Sequence, residues 1–167
     1  MPNCLVVLWS CGKSTGKYYF EFLVSAIVVG QSNFFIPGVG TIQGLGTYLQ
    51  YPGQWASSIG HQPAATEYTN GFTAANGTNF SLSVNGVIGI AVDFGAGKVW
   101  IAYNNNWDTG AHGSNPATGA NAWATFTPGP TLYPVIGLYQ NNPGNSVTIV
   151  SGSSLTYAAP SGFSNWV

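Results

Sequence analysis

Charge is what this sequence has least of. Only 4% of its 167 residues are Asp, Glu, Lys or Arg, against about a quarter in an ordinary soluble domain. There is no arginine; the basic residues are Lys13, Lys17 and Lys98 and the acidic ones Glu21, Glu67, Asp93 and Asp108, for a net charge of −1. Binding to nucleic acid by neutralising phosphates needs several cations on one surface, and three scattered lysines do not supply them. A polybasic membrane contact fails on the same count. A surface this neutral has weak colloidal protection, so much of it is expected to be covered by partners or to be rich in Ser, Thr, Asn and Gln.

Cysteine is scarce as well. Cys4 and Cys11 are the only two, and if the run between them is extended its seven residues span roughly 23 Å, beyond disulfide reach. Two free thiols, one toward each face, are expected. No apolar run approaches the roughly 20 residues of a membrane helix. The first residues lack a basic region before an apolar core, so synthesis in a host cytoplasm without a secretory leader is the expectation. No stretch sustains a 3.6-residue period, no tandem repeat is visible, and the length suits one domain over residues 1–167.

What is present is alternation. Gly86 to Trp107, GVIGIAVDFGAGKVWIAYNNNW, reads as a β-hairpin: Ile88, Ile90 and Val92 share one face, and Val99, Ile101 and Tyr103 return after a turn at Phe94–Gly97. Asp93 and Lys98 are expected opposite each other, and the return strand carries large residues on both faces, so cover on both sides is expected. Lys17–Ile27 is a second clear strand, with Tyr18, Phe20 and Phe22 on one face and Tyr19, Glu21 and Leu23 on the other. Glu21 is thereby expected half-buried or at an edge, as a hydrogen-bonded structural carboxylate. Further strands are read at Leu5–Ser10, Ser25–Val29, Gly46–Tyr51, Phe80–Val84, Leu132–Tyr139, Val147–Val150 and Leu155–Tyr157. Loops are read at Gly38–Gly44 and Pro52–Gly60, turns through residues 61–80, and one long loop from Asn104 to Pro130. Phe163 and Trp166 are placed to close the structure.

Four segments in order carry a family resemblance: STGKYYFEFLV (14–24), the central hairpin, LYPVIGLY (132–139) and VTIVSGSSLTYAAPSGFSNW (147–166). Together they resemble the SPRY domain, and the loop with Asn115-Pro116-Ala117-Thr118-Gly119 is most similar to the type found in bacteriophage and bacterial proteins. The family's usual Asn-Phe-Gly near the close is here Val150-Ser151-Gly152, and residues 28–80 align poorly. The resemblance implies an all-β, bent two-sheet antiparallel sandwich of the concanavalin A-like jelly-roll type with little or no helix. It also implies end loops that bind a protein or peptide.

No chemistry-bearing constellation stands out. His61 and His112 are isolated, nucleophile elbows and phosphate loops are missing, and Glu21, Glu67, Asp93 and Asp108 offer a catalytic pair only if the fold brings two together, so a non-enzyme without cofactor or metal is expected. The candidate binding surface is aromatic and amide-rich: Tyr48, Tyr51, Trp55, Asn104, Asn105, Asn106, Trp107, Asp108, His112, Trp123 and Tyr139. Trp107 and Trp123 are the aromatics most expected to escape the core, because they fall in the long loop. The first functional expectation is a bacteriophage virion protein (capsid decoration, head-fibre or tail-associated subunit). It would be held to other virion proteins in a homo-oligomer or multi-copy assembly, with contact to a host-surface protein or glycan. The alternatives are a carbohydrate-binding module for host attachment and an intracellular adaptor that captures a peptide.

Overall fold

The computed structural model describes residues 4–28, 35–42, 51–63, 66–75, 80–107, 113–139 and 144–167. The strands are β1 (Cys4–Leu8), β2 (Lys17–Ala26), β3 (Phe35–Gly40), β4 (Ser58–Gln62), β5 (Thr66–Asn70), β6 (Phe72–Ala74), β7 (Val87–Asp93), β8 (Lys98–Tyr103), β9 (Ala124–Phe126), β10 (Tyr133–Tyr139), β11 (Ser146–Val150) and β12 (Ser164–Asn165). One sheet runs β1-β10-β3-β4-β5, the other β11-β2-β7-β8-β9-β6, with β12 alongside β2. All neighbours are antiparallel except β12, which pairs β2 in parallel at Tyr18 and Tyr19. The chain is a two-sheet antiparallel β-sandwich, as the alternation and the resemblance imply. A 3-10 turn forms at Gly152–Ser154.

The two-residue period assigns β2 its two faces. Phe20, Phe22 and Val24 point into the core between the sheets, with Ile88, Ile90 and Val92 from β7, Val99 and Ile101 from β8, Val39 and Ile59 from β3 and β4, and Trp166. Tyr19, Ala91 and Trp100 point the other way and form a second cluster, roofed by Trp107, Ala122, Leu155, Ala159 and Phe163. The seven-stranded sheet is thus covered on both faces, as its large residues on alternate positions require.

Asp93 and Lys98 do face each other across the hairpin. The charge partner of Asp93 is nevertheless Lys17, opposite it on β2, with Nζ 2.8 Å from Oδ2, while Lys98 Nζ donates to the Gly119 carbonyl at 2.8 Å. Gly97 takes the positive φ of 60° that ends the turn.

Several expected loops are strands. Gly38 and Gly40 belong to β3 and Ser58–Gly60 to β4, where a Cβ on Gly38 would run into the Ile59 carbonyl. Here glycine serves close approach of two backbones rather than reversal. Pro37 is tolerated because β4 pairs only with Gly38–Gly40, so β3 is locally an edge at the proline. Residues 66–70 and 72–74 are strands joined at Gly71, and the long loop contains β9. Conversely, Phe80–Val84 and Leu155–Tyr157 form no strand, although Phe80 and Leu82 are buried. The strand expected at Ser25–Val29 is the end of β2, with residues 27 and 28 beyond it; residues 29 and 46–50 lie outside the described residues, and Tyr51 is not in a strand. Cys11 is a free thiol whose Sγ donates to the Val167 carbonyl at 2.9 Å; the side chain of Cys4 lies outside the described residues.

Candidate functional site

At the far end of β8 the chain reverses in a two-residue turn. Tyr103 and Asn106 exchange backbone hydrogen bonds at 3.2 and 3.0 Å, and Asn104 and Asn105 between them have φ of 49° and 61°. Asparagine is the non-glycine residue best suited to this left-handed conformation, which a tight hairpin turn demands twice in succession. Asn104 is locked further: its N–H donates to the Val87 carbonyl at 2.8 Å and its Oδ1 accepts from the Val87 N–H at 2.9 Å. The neighbouring segment is tied to the same strand end. Tyr103 Oη accepts from the Ser83 N–H at 2.8 Å, and the Tyr103 ring stacks on Phe80 at 5.1 Å. Val84, 49% exposed, and Asn85, with φ 66°, stand beside it. Asn104, Asn105 and Asn106 are exposed, and Trp107 is half-buried with its ring 5.9 Å from that of Tyr19. Among the described residues the result is an uncharged surface of four amides, one indole and one aliphatic side chain, built on a locked turn.

The segment after it is pinned to the outer face of the seven-stranded sheet. Asn115 and Ala120 pair, Asn115 Oδ1 accepts from the Ala117 N–H at 3.0 Å, and Trp100 Nε1 donates to the Ala120 carbonyl at 2.8 Å. The Asn-Pro-Ala-Thr-Gly sequence is an Asx-turn pattern. It is a fixed structural feature of the sheet's outer face.

The eleven expected surface residues do not form one constellation. Asn104, Asn105, Asn106 and Trp107 are together and accessible. Tyr51 lies on the opposite side of the sandwich, its ring 4.4 Å from that of Tyr68 on β5. Trp55 is buried, its Nε1 donating to the Thr41 carbonyl at 3.0 Å, so it is not a surface residue. Trp123 is a clear correction: it is 1% exposed and sits in the core, with the His61 ring 6.0 Å away. It immediately precedes β9 and is drawn between the sheets with that strand, which the reading of 104–130 as a single loop hid. Tyr48, Asp108, His112 and the side chain of Tyr139 lie outside the described residues. Val84 and Asn85 were missed; the Asn85-Gly86 dipeptide is a turn signal that places them beside β8 only once β7 and β8 are paired.

Among the described residues the charged groups are engaged in the framework. Glu21 is fully buried, more so than expected. It accepts from Tyr19 Oη at 2.8 Å and from the N–H groups of Thr156 and Tyr157 at 2.7 and 2.9 Å. Burial and the adjacent carboxylate push the Tyr19 hydroxyl far above its ordinary range. His61 is fully buried on β4, opposite Glu67 of β5, with Nδ1 3.5 Å from Oε1. Among the described residues no three of His, Cys, Asp or Glu converge as metal ligands.

Asp93 gives a pH signature. Burial raises its carboxyl, but the Lys17 ammonium and the N–H groups of Ala96 and Gly95 outweigh that and hold it below the usual carboxylate range. A lowered folded value means that the carboxylate's contribution is present above the unfolded value of about 3.9. It is lost as the pH falls through the folded value. Asp93→Asn is expected to flatten that part of the acid limb of a stability–pH profile, modestly because Lys17 is half exposed. Identical acid limbs for the two proteins would contradict this.

The architecture is that of a SPRY-type β-sandwich. The SPRY domain of human HERC1 superposes with a TM-score of 0.59 at 18% identity, covering 88% of this chain and 82% of that one. A second human SPRY domain gives 0.60 at 14% identity, covering 89% and 85%. No protein-family profile and no curated protein matches the sequence. The likeness is therefore one of fold.

Proposed function

We propose that this chain is a non-enzymatic protein-interaction module that binds through Val84, Asn85, Asn104, Asn105, Asn106 and Trp107. The observation that carries this reading is the locked Asn104-Asn105 turn beside a half-exposed indole. Amides held in fixed conformations and an aromatic with few rotatable bonds lose little entropy on binding. The SPRY-like fold supports the class of function. A virion setting for this module is the more specific form of the proposal. It rests on the scarcity of charge and the phage-type loop pattern, and the comparisons add nothing to it.

Quantitative capture with the wild-type chain and with an N105A/W107A double variant tests the surface. A partner retained by the wild type and reduced at least about tenfold by the variant, as expected for loss of a central aromatic anchor, supports it. Equal capture by both proteins refutes it. Abundance of the chain in purified phage particles, measured by mass spectrometry, tests the virion setting separately. An indole among amides is also the chemistry of a sugar site, and binding on a glycan array abolished by Trp107→Ala would favour that second reading.

A further inference from the structure

Among the described residues, the outer edge of the seven-stranded sheet carries little of the usual protection. β11 pairs only β2 among the described strands, and its sequence, SVTIV, has neither a charge nor a proline. Natural edges are normally blunted by a lysine, a proline, an inward charge, a bulge or extreme shortness, and of these β11 shows only the register shift between Ser146 and Val147. The opposite edge of this sheet, β6, is three residues long, and β5 in the other sheet carries Glu67. β1 is also free of charge, but its side chains lie outside the described residues.

We propose that β11 is a self-association edge, pairing antiparallel with β11 of a second copy about a two-fold axis at Thr148. The strand is self-complementary in that register. Thr148 meets Thr148 of the partner subunit, and Val147 meets Ile149 of the partner subunit. β-Branched pairs of this kind are favourable across strands, and the two-fold axis makes the same patch serve both copies. The faces also agree. Val147 and Ile149 lie opposite Val24 and Phe22 and pack against the main core while remaining only partly buried. In the dimer each would gain cover from its counterpart, and the inner faces of the two sheets would be continuous. Thr148 lies on the outer face, exposed, its Oγ1 3.5 Å from Ser25 Oγ. The register shift between Ser146 and Val147 confines the pairing to Val147–Ile149. Such an interface is small against the roughly 1,600 Å² of a standard complex, so the dimer is concentration-dependent. A second copy is favoured over a foreign peptide because the neutral, near-palindromic strand sets no charge against itself. The inference does not rest on the Asn104–Trp107 surface and survives if that surface binds nothing.

Sedimentation equilibrium over a concentration series is the test. The wild type is expected to show a reversible monomer–dimer equilibrium. Thr148→Lys, at an exposed position, should keep the thermal transition and weaken dimerisation at least about tenfold, because like charges directly opposite are destabilising. Thr148→Glu should do the same. An equimolar mixture of the Lys and Glu variants should recover a heterodimer, which a general solubility effect would not produce. A wild type that stays monomeric throughout, a dimer indifferent to both substitutions, or a mixture that fails to associate would each overturn the proposal. So would protection of β11 amides from exchange only in the presence of another protein's strand.

Discussion

Replacing Trp166 with alanine is expected to cost about 3–5 kcal/mol, the range for emptying a fully buried large aromatic site, and to lower the thermal midpoint by about 10 °C or more. Trp166 is 0% exposed. Its ring lies 5.1 Å from Phe20, 5.7 Å from Tyr18 and 5.9 Å from Phe94, so it touches β2 and the hairpin turn together. Its polar atoms are placed too: Nε1 donates to the Cys11 carbonyl at 2.6 Å and the backbone N–H to the Tyr19 carbonyl at 2.8 Å. The side chain therefore joins the final segment to the β1–β2 connection and to the central sheet at once. Trp166→Phe separates the two contributions. It keeps most of the ring contact and forfeits the part-buried Cys11 bond, at about 0.5–1.5 kcal/mol. Urea unfolding of the three proteins gives the order. An alanine variant as stable as the wild type would show that the closing tryptophan does not hold the sandwich together.

The placement of Trp166 as a closing residue, the two faces of β2, the β7–β8 hairpin and β10 were legible in the sequence because each rests on a local signal, whereas Phe163, expected to close the sandwich as well, packs on the outer face of the seven-stranded sheet. Alternation of large apolar residues over six or more positions has one reading. What was not legible depended on partners distant in the chain. β3, FIPGVG, has the composition of a turn, and only pairing with β10 on one side and a short β4 on the other makes it a strand. β9 is three residues long and carries no periodicity; it exists because β8 and β6 flank it, and it takes Trp123 into the core. The candidate site divides the same way. The Asn104–Trp107 turn was visible from its asparagines, whereas Val84 and Asn85 join it only through the antiparallel neighbours of β7.

The scarcity of charge acquires a structural meaning from these contacts. Lys17 pairs with Asp93, Lys13 stands over the Tyr18 ring at 5.0 Å, Lys98 holds the Gly119 carbonyl, Glu67 faces His61, and Glu21 is enclosed. Each of these charged side chains touches another part of the framework. What remains for the described Asn104–Trp107 surface is amide, indole and the aliphatic side chain of Val84. A partner meeting that surface is selected by shape and hydrogen bonding more than by long-range steering, so its association rate should depend little on salt.

Glu21 is the other residue whose loss should be felt throughout. Its carboxylate accepts three hydrogen bonds, two of them from consecutive backbone amides of a segment that has no strand partner of its own. It takes the place of a neighbouring strand for Thr156 and Tyr157, and so keeps Leu155, Ala159 and Phe163 against Trp100 and Tyr19. Glu21→Ala removes every acceptor, leaving the buried Tyr19 hydroxyl and two part-buried backbone N–H groups without it, at an expected cost of about 3–5 kcal/mol for three bonds to a charged group. Glu21→Gln keeps the shape and one acceptor oxygen. The Tyr19 hydroxyl can rotate to accept from the new amide, but Thr156 and Tyr157 donate to different oxygens, so one of them must face an NH₂ group. About 2–3 kcal/mol is expected for that orphaned donor. The order alanine worse than glutamine, read by urea unfolding, should be matched by a local effect. The Thr156 and Tyr157 amides should lose protection from hydrogen exchange before the β7–β8 hairpin does, since a segment held by a single side chain opens below the global free energy. Wild-type protection at those two amides in Glu21→Ala would mean that the carboxylate is a passenger and that the apolar roof holds the segment unaided.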